Sequence, residues 1–283
     1  MTKALPVPKR IDFAIVGFQK AGTTGLAHLL RHQPGVDLAY GEQSWFEREE
    51  IAPSDTVSTG LVGFKRADLI AADGGIDRLV RHSPDVRLLL STRPRGERAV
   101  SAYLHYVRDG FAPLRPLDHA FEELLADGEI AGYPRTAEIL SYGMYGAQTS
   151  GLLEALPREQ LLIVSQAQVA EQRADFLSSV GEFLGIGCSP VKRRVAMPTH
   201  RRRRRLQARR ALNPLMYRYA DGGMRLEGRS RYVNTVISRI DDRLGTGDPE
   251  SDFVATPELL SLLDAYYRED AELFETLEAY AWQ

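Results

Sequence analysis

Apolar runs and helical periodicities alternate along most of this chain. Short apolar runs at Phe13–Val16, Val86–Leu90 and residues 160–166 ("QLLIVSQ") predict buried strands. Between the strands, residues 95–108 and 174–186 place apolar side chains at helical spacing. Strands that alternate with helices form a parallel sheet that is covered on both faces. The predicted fold is therefore α/β, with a central parallel sheet between two layers of helices.

One domain that spans residues 1–283 is the simplest organisation. The section from about 188 to 250 departs from the alternation, because it is rich in proline, paired glycines and arginine. It is predicted to be an irregular basic excursion with helical pieces. A final helix is predicted after Thr256, with Thr256 as its N-cap and Pro257 in its first turn.

Composition indicates a soluble protein and argues against general nucleic-acid binding. The 283 residues are 43% hydrophobic and 26% charged, with a net charge of -2. The exception is the arginine-rich segment "RRRRRLQARR", Arg201–Arg210. It is either a solvated linker or helix face, or a surface that binds an anionic ligand, nucleic acid or an acidic membrane. No aromatic residues are interleaved for base stacking, which disfavours nucleic acid.

The sequence also bears on location. The single cysteine, Cys188, excludes an intrachain disulfide framework and suits a reducing compartment. The basic N-terminus lacks the apolar core of a secretion signal, and no stretch approaches the roughly 18 apolar residues of a membrane span. We expect a cytoplasmic protein.

Residues 11–25, "IDFAIVGFQKAGTTG", have the layout of a phosphate-binding loop: a strand, a glycine-bounded turn and a helix N-terminus. Nucleotide hydrolases place lysine directly after the second glycine, whereas here Thr23 occupies that position and Lys20 lies inside the loop. The backbone N–H groups from Ala21 to Thr24 would face an anion at the positive end of the helix. The alternative is an ordinary strand-to-helix turn.

A second candidate anion site lies in "STRPRGERAVSAYLHY". Arg93 follows the carboxyl end of a predicted buried strand, and Ser101 comes eight residues later on the next helix. A guanidinium and a hydroxyl together can hold a second phosphate. Taken alone, Arg93 is equally well explained as a surface residue at a strand end.

These paired motifs resemble the sulfotransferases that use 3'-phosphoadenosine 5'-phosphosulfate (PAPS). "GFQKAGTTGL" is similar to the family's 5'-phosphosulfate loop, and "RPRGERAVSAYLHY" is similar to its 3'-phosphate motif. The segments at 142–169 and 255–282 resemble the family's helix–strand unit and C-terminal end. The resemblance covers nearly the whole chain apart from the basic excursion.

The resemblance implies a donor site without a metal ion. A loop from Gln19 through Ala21 would bind the nucleotide, and Lys20, Gly22, Thr23 and Thr24 would hold the 5'-phosphate and the bridging oxygen. Arg93 and Ser101 would hold the 3'-phosphate, and the product would be adenosine 3',5'-bisphosphate. Lysine beside the departing phosphate oxygen would stabilise the charge that develops in the transition state.

The resemblance also implies a general base. In "YGEQSWFE", Glu42 occupies the position of the glutamate base of carbohydrate-type members, and Ser44 replaces a histidine that is often found there. The alternative for Glu42 is an exposed loop carboxylate, and Glu47 is expected to be solvated. In "GFKRAD", Lys65 matches a lysine near the transferred sulfuryl group, although its neighbours depart from the family pattern.

The acceptor would be a hydroxyl or amine of a small-molecule, glycan or lipid-linked compound, and the sequence does not indicate an oligomeric state. One alternative is a kinase-like phosphotransferase with a phosphate-binding loop, which predicts lysine after Gly22 and an acidic, magnesium-binding strand end. The chain has threonine at that position, and its buried strands end in "STR" and "SQ". The other alternative is a non-catalytic module that binds acidic partners through Arg201–Arg210.

Overall fold

The computed structural model describes residues 6–47, 52–54, 58–152, 156–191, 202–220, 225–228 and 250–278. Two compact units share the chain. The first comprises Met1–Pro94, Met144–Val195 and Tyr267–Gln283, and the second comprises Arg95–Gly143 and Ala196–Tyr266. The single domain that the sequence indicates stays a prediction.

The strands predicted at Phe13–Val16, Val86–Leu90 and residues 160–166 are all present, with small differences at their ends. The strands are β1 (Pro6–Pro8), β2 (Phe13–Gly17), β3 (Val36–Leu38), β4 (Ala52–Ser54), β5 (Leu61–Lys65), β6 (Arg87–Thr92), β7 (Leu161–Ser165), β8 (Tyr217–Ala220) and β9 (Arg225–Gly228). The helices are α1 (Thr23–Arg31), α2 (Gly75–His82), α3 (Arg95–Asp109), α4 (Leu117–Asp127), α5 (Ala137–Ser141), α6 (Tyr145–Thr149), α7 (Gln166–Glu171), α8 (Ala174–Leu184), α9 (Arg203–Met216), α10 (Pro257–Tyr266) and α11 (Arg268–Glu278).

A five-stranded parallel sheet forms the centre of the first unit. Its strand order is β3-β5-β2-β6-β7, so β2 lies between β5 and β6. The three central strands therefore end side by side, at the edge where parallel α/β sheets bind their ligands. The predicted fold class is confirmed.

Side chains that alternate along β2 enter two different apolar cores. Ala14 and Val16 pack in one core with residues of α2, α6 and α11, and Phe13 and Ile15 pack in the other with residues of α1, α7 and α8. Gly63 of β5 lies directly against the ring of Phe13, where a Cβ atom would collide with it. Helices thus cover both faces of the sheet, which gives the predicted three layers within this unit.

The second unit is mainly helical. Helix α3 packs against both α9 and α10, and the Asn213 side chain donates a hydrogen bond to the Arg108 carbonyl. The Thr256 hydroxyl accepts a hydrogen bond from the Leu259 N–H at 3.1 Å, which confirms its predicted place as the N-cap of α10.

The basic excursion contains more regular structure than its composition predicts. Helix α9 runs through most of the arginine-rich segment, and an antiparallel pair, β8 and β9, follows it. Arginine is a good helix former, and the apolar Leu206 gives the helix a buried contact. Residues 192–201, 221–224 and 229–249 of the excursion lie outside the described residues.

Candidate active site

The predicted phosphate loop, residues 17–24, connects β2 to α1. Lys20 and Gly22 adopt left-handed backbone conformations with φ of 64° and 94°. A Cβ atom on Gly22 would lie 2.8 Å from Cγ of Gln166, so the position is restricted by both backbone conformation and space. No side chain caps α1 at Gly22. The N-terminus of α1 therefore has the donors and the partial positive charge that suit an oxyanion.

Strand β6 fixes the phosphate loop from the side. The Phe18 N–H donates to the Ser91 carbonyl at 3.1 Å, and the fully buried Ser91 hydroxyl donates to the Ala21 carbonyl at 2.6 Å. The Phe18 ring stacks on Tyr145 with a centroid distance of 4.0 Å. On the side that faces β6, backbone groups and buried neutral side chains thus hold the loop.

Arg93 follows β6 by one residue, and β6 is the direct neighbour of β2. Lys20 and Arg93 therefore come after adjacent strand ends at the same edge of the sheet. The Arg93 carbonyl accepts a hydrogen bond from the Tyr145 hydroxyl at 3.1 Å. Ser101 lies on α3 in the second unit, and its role in holding a phosphate with Arg93 stays a prediction.

Glu42, Lys65 and Thr24 form one contact cluster. The Lys65 ammonium lies 2.6 Å from Oε1 of Glu42 and donates a hydrogen bond to Oγ1 of Thr24 at 3.1 Å. Lys65 is 7% exposed, whereas the Glu42 side chain is 38% exposed. The structure thus brings a predicted base, a predicted catalytic lysine and a residue of the phosphate loop into contact.

The base loop, residues 39–47, is anchored to the carboxyl end of β5. The Ala67 N–H donates to Oε2 of Glu42 at 3.2 Å, and the Gln43 N–H donates to the Lys65 carbonyl at 2.9 Å. Next to them, Arg66 forms an ion pair with Glu47. The prediction that Glu47 is solvated is wrong, because its side chain is only 18% exposed in this pair.

Nearby carboxylates also stabilise the positive charge of Arg66. Burial alone would lower the pKa of its guanidinium, but the carboxylates of Asp68, Glu47 and Glu42 raise that pKa above its ordinary value. Arg66 is therefore a permanent positive charge beside the base loop.

The arginine-rich helix has a partly buried face. Arg205 is 1% exposed and Arg209 is 7% exposed, four residues apart on α9. The interpretation of this segment as a solvated face is therefore wrong at these two positions. The neighbouring residues did not indicate that the two side chains would be buried. Arg201 lies outside the described residues.

No family model matches the chain. It is 26% identical over 182 residues to human heparan sulfate glucosamine 3-O-sulfotransferase 3B1, a match that covers 61% of this chain and 45% of that protein. The human 3A1 protein matches with the same identity over the same length, 61% of this chain and 43% of that protein. The chain thus matches less than half the length of these curated relatives.

The fold comparison agrees with the sequence relatives. The crystal structure of a sulfotransferase from Alicyclobacillus acidocaldarius superimposes with a TM-score of 0.61 at 19% identity, over 95% of this chain and 96% of that one. The chain thus resembles sulfotransferases in sequence over part of its length and in its fold. The resemblance that the sequence indicates is confirmed at this level, whereas the roles of individual residues stay predictions.

Among the helices of the described residues, none combines the length and the apolar content that crossing a membrane requires.

Proposed function

We propose that this chain transfers a sulfuryl group from PAPS to a hydroxyl or amine of a small-molecule, glycan or lipid-linked acceptor. The observation that carries the proposal is the contact cluster in which Lys65 links Glu42 to Thr24 of the phosphate loop. The Lys65 ammonium contacts both the candidate base and a residue of the candidate phosphate site. Sulfuryl transfer needs a base and a donor-binding site next to each other.

In the proposed reaction, the phosphate loop holds the 5' end of the donor. The N–H groups at the start of α1 and the hydroxyls of Thr23 and Thr24 bind the 5'-phosphate, with Gln19, Ala21 and Gly22 forming the turn. The donor supplies a sulfuryl group, whose bond to the 5'-phosphate oxygen breaks as a bond to the acceptor oxygen or nitrogen forms. The Lys20 ammonium stabilises the negative charge on the departing phosphate oxygen.

Arg93 and Ser101 are proposed to hold the 3'-phosphate. The support is the eight-residue spacing in the sequence motif and the position of Arg93 after the strand next to β2. A guanidinium provides two parallel donors to a phosphate, which favours a donor that carries the 3'-phosphate over one that lacks it.

Glu42 is proposed to take the acceptor's proton. Its two oxygens each accept one contact, from Lys65 and from the Ala67 N–H. An ionised carboxylate has about four acceptor positions, so lone pairs remain for an acceptor hydroxyl. The partly exposed side chain leaves room for an acceptor to approach.

The relatives suggest the acceptor class. The human relatives are named as heparan sulfate glucosamine 3-O-sulfotransferases, and we propose by analogy a sugar hydroxyl for this chain. We also propose a cytoplasmic location, which rests on the single Cys188.

Isothermal titration with adenosine 3',5'-bisphosphate tests the donor site. The proposal predicts micromolar binding without magnesium, and adenosine 5'-monophosphate should bind more weakly. A magnesium requirement with ATP would instead support the kinase-like alternative. The module that binds acidic partners through Arg201–Arg210 is disfavoured by the burial of Arg205 and Arg209, which removes two charges from its surface.

A further inference from the structure

Lys65 occupies a position from which it contacts both halves of the proposed site. It ends β5, next to β2, and its side chain is only 9% exposed. An ammonium has three N–H donors and no acceptor. Two of them are accounted for by Glu42 at 2.6 Å and Thr24 at 3.1 Å.

The hydrogen bond from Lys65 orients the hydroxyl of Thr24. When Oγ1 accepts from Lys65, the single hydroxyl hydrogen of Thr24 is left to point elsewhere. Thr24 lies in the first turn of α1, whose N-terminus is where an oxyanion is stabilised. An anion bound there is therefore near the Lys65 ammonium as well as the Thr24 hydroxyl.

We propose that Lys65 couples the anion site to the base: it holds Glu42 while the anion site is empty and is drawn towards the anion when one binds. The inference rests on the proposed function and adds a positioning role for Lys65. One ammonium shared between two anions binds each of them less strongly than it binds one alone. Glu42 therefore becomes a better proton acceptor when the donor is in place.

Thermodynamic linkage makes this coupling measurable without turnover. If anion binding increases the proton affinity of Glu42, then protonation of Glu42 increases the affinity for the anion by the same factor. Bisphosphate binding should therefore be accompanied by proton uptake that depends on Glu42.

Other charged groups lie around the cluster of Glu42, Lys65 and Thr24. Glu47 and Asp68 pair with Arg66, Arg78 donates to the Phe46 carbonyl, and Lys20 precedes Thr24 on the phosphate loop. The arginines stay charged throughout the accessible pH range. A control must therefore separate Glu42 from the remaining carboxylates and from the ligand's own phosphates.

The test is isothermal titration of adenosine 3',5'-bisphosphate between pH 5 and 8, in pairs of buffers that differ in ionisation enthalpy. Glu42→Gln replaces the carboxylate with a neutral amide of the same shape. We expect it to remove the Glu42-linked proton uptake and to bind about 10-fold tighter than the wild type at pH 8, since Lys65 then serves one anion only. Asp37→Asn, an exposed carboxylate on β3, should keep the wild-type proton uptake.

Lys65→Met and Glu42→Gln together form a double-mutant cycle. Methionine keeps the unbranched apolar stem of lysine and removes the ammonium. We expect weaker bisphosphate binding in this variant and no further effect of Glu42→Gln upon it. Equal proton uptake by the wild type and Glu42→Gln would overturn the coupling while leaving the sulfotransferase proposal intact. Absence of bisphosphate binding to the wild type at every pH would instead remove the proposed function itself.

Discussion

The phosphate loop and the base loop border the same sheet edge, but they are held in different ways. Backbone hydrogen bonds and the neutral, buried Ser91 fix the phosphate loop against β6. The base loop has backbone hydrogen bonds too, but its carboxylates are fixed by Lys65 and Arg66 at the end of β5. Charged contacts respond to salt, pH and side-chain changes far more than neutral ones do. The conformation of the phosphate loop should therefore be robust, whereas the position of the proposed base should be easily perturbed.

The largest expected effect follows from removing the base. Glu42→Gln should lower kcat about 10²–10⁴-fold, the usual contribution of a positioned general base. Bisphosphate binding should not weaken, because Glu42 competes with the anion site for the Lys65 ammonium instead of holding the phosphate loop. Steady-state kinetics combined with titration calorimetry would measure both, and loss of nucleotide binding would abolish the distinction between the two loops.

Arg93→Ala should weaken the nucleotide site at its other end. Losing a charge-assisted contact of about 1.5–3 kcal/mol predicts a roughly 10–100-fold loss of affinity for adenosine 3',5'-bisphosphate. Affinity for adenosine 5'-monophosphate, which has no 3'-phosphate, should barely change. Equal losses for both ligands would remove the 3'-phosphate assignment.

Gly22→Ala tests the backbone-held loop directly. Left-handed backbone costs about 1–2 kcal/mol for a residue with a Cβ atom, and the added atom would also meet the Gln166 side chain. A roughly 5–30-fold loss in bisphosphate affinity is expected. Gly35→Ala is the matched control, because Gly35 has φ of 76° with open space around it. That control should lower thermal stability only, so a similar affinity loss there would contradict the argument.

Glu47→Gln should have the smallest effect on kcat, because Glu47 influences the proposed base, Glu42, only by anchoring the base loop. Removing the Arg66 partner is expected to lower kcat a few-fold, in line with about 1 kcal/mol for such a pair. The wild type should lose activity at high salt more steeply than this variant does. Glu171→Gln, at an exposed carboxylate, should match the wild type in both assays. A salt response identical to the wild type would show that the ion pair does not hold the loop.

The same contrast explains how much the sequence could predict. The strand at Phe13, the helix at Thr23 and the phosphate loop between them are local features, each with its own pattern in consecutive residues. The family resemblance likewise singled out Glu42 and Lys65. Their contact depends on β3 lying beside β5, a pairing that consecutive residues do not specify.

Two further features depended on tertiary packing and were missed. Glu47 looked like a solvated carboxylate because its partner, Arg66, belongs to a different element. Arg205 and Arg209 looked exposed because arginine is rarely buried, yet the face of α9 that carries them is buried in the second unit. The burial of these charged residues could not be predicted, because it depends on segments that are distant in the sequence.

The central claim is that a donor held at the phosphate loop reacts beside Glu42. The most direct measurement is mass-spectrometric detection of sulfuryl addition to a panel of sugar, lipid-linked and small-molecule acceptors with PAPS, using the wild type and Glu42→Gln in parallel. The account predicts a sulfated product with the wild type and a rate at least about 100-fold lower with the variant. Product formed by both proteins at the same rate would contradict it.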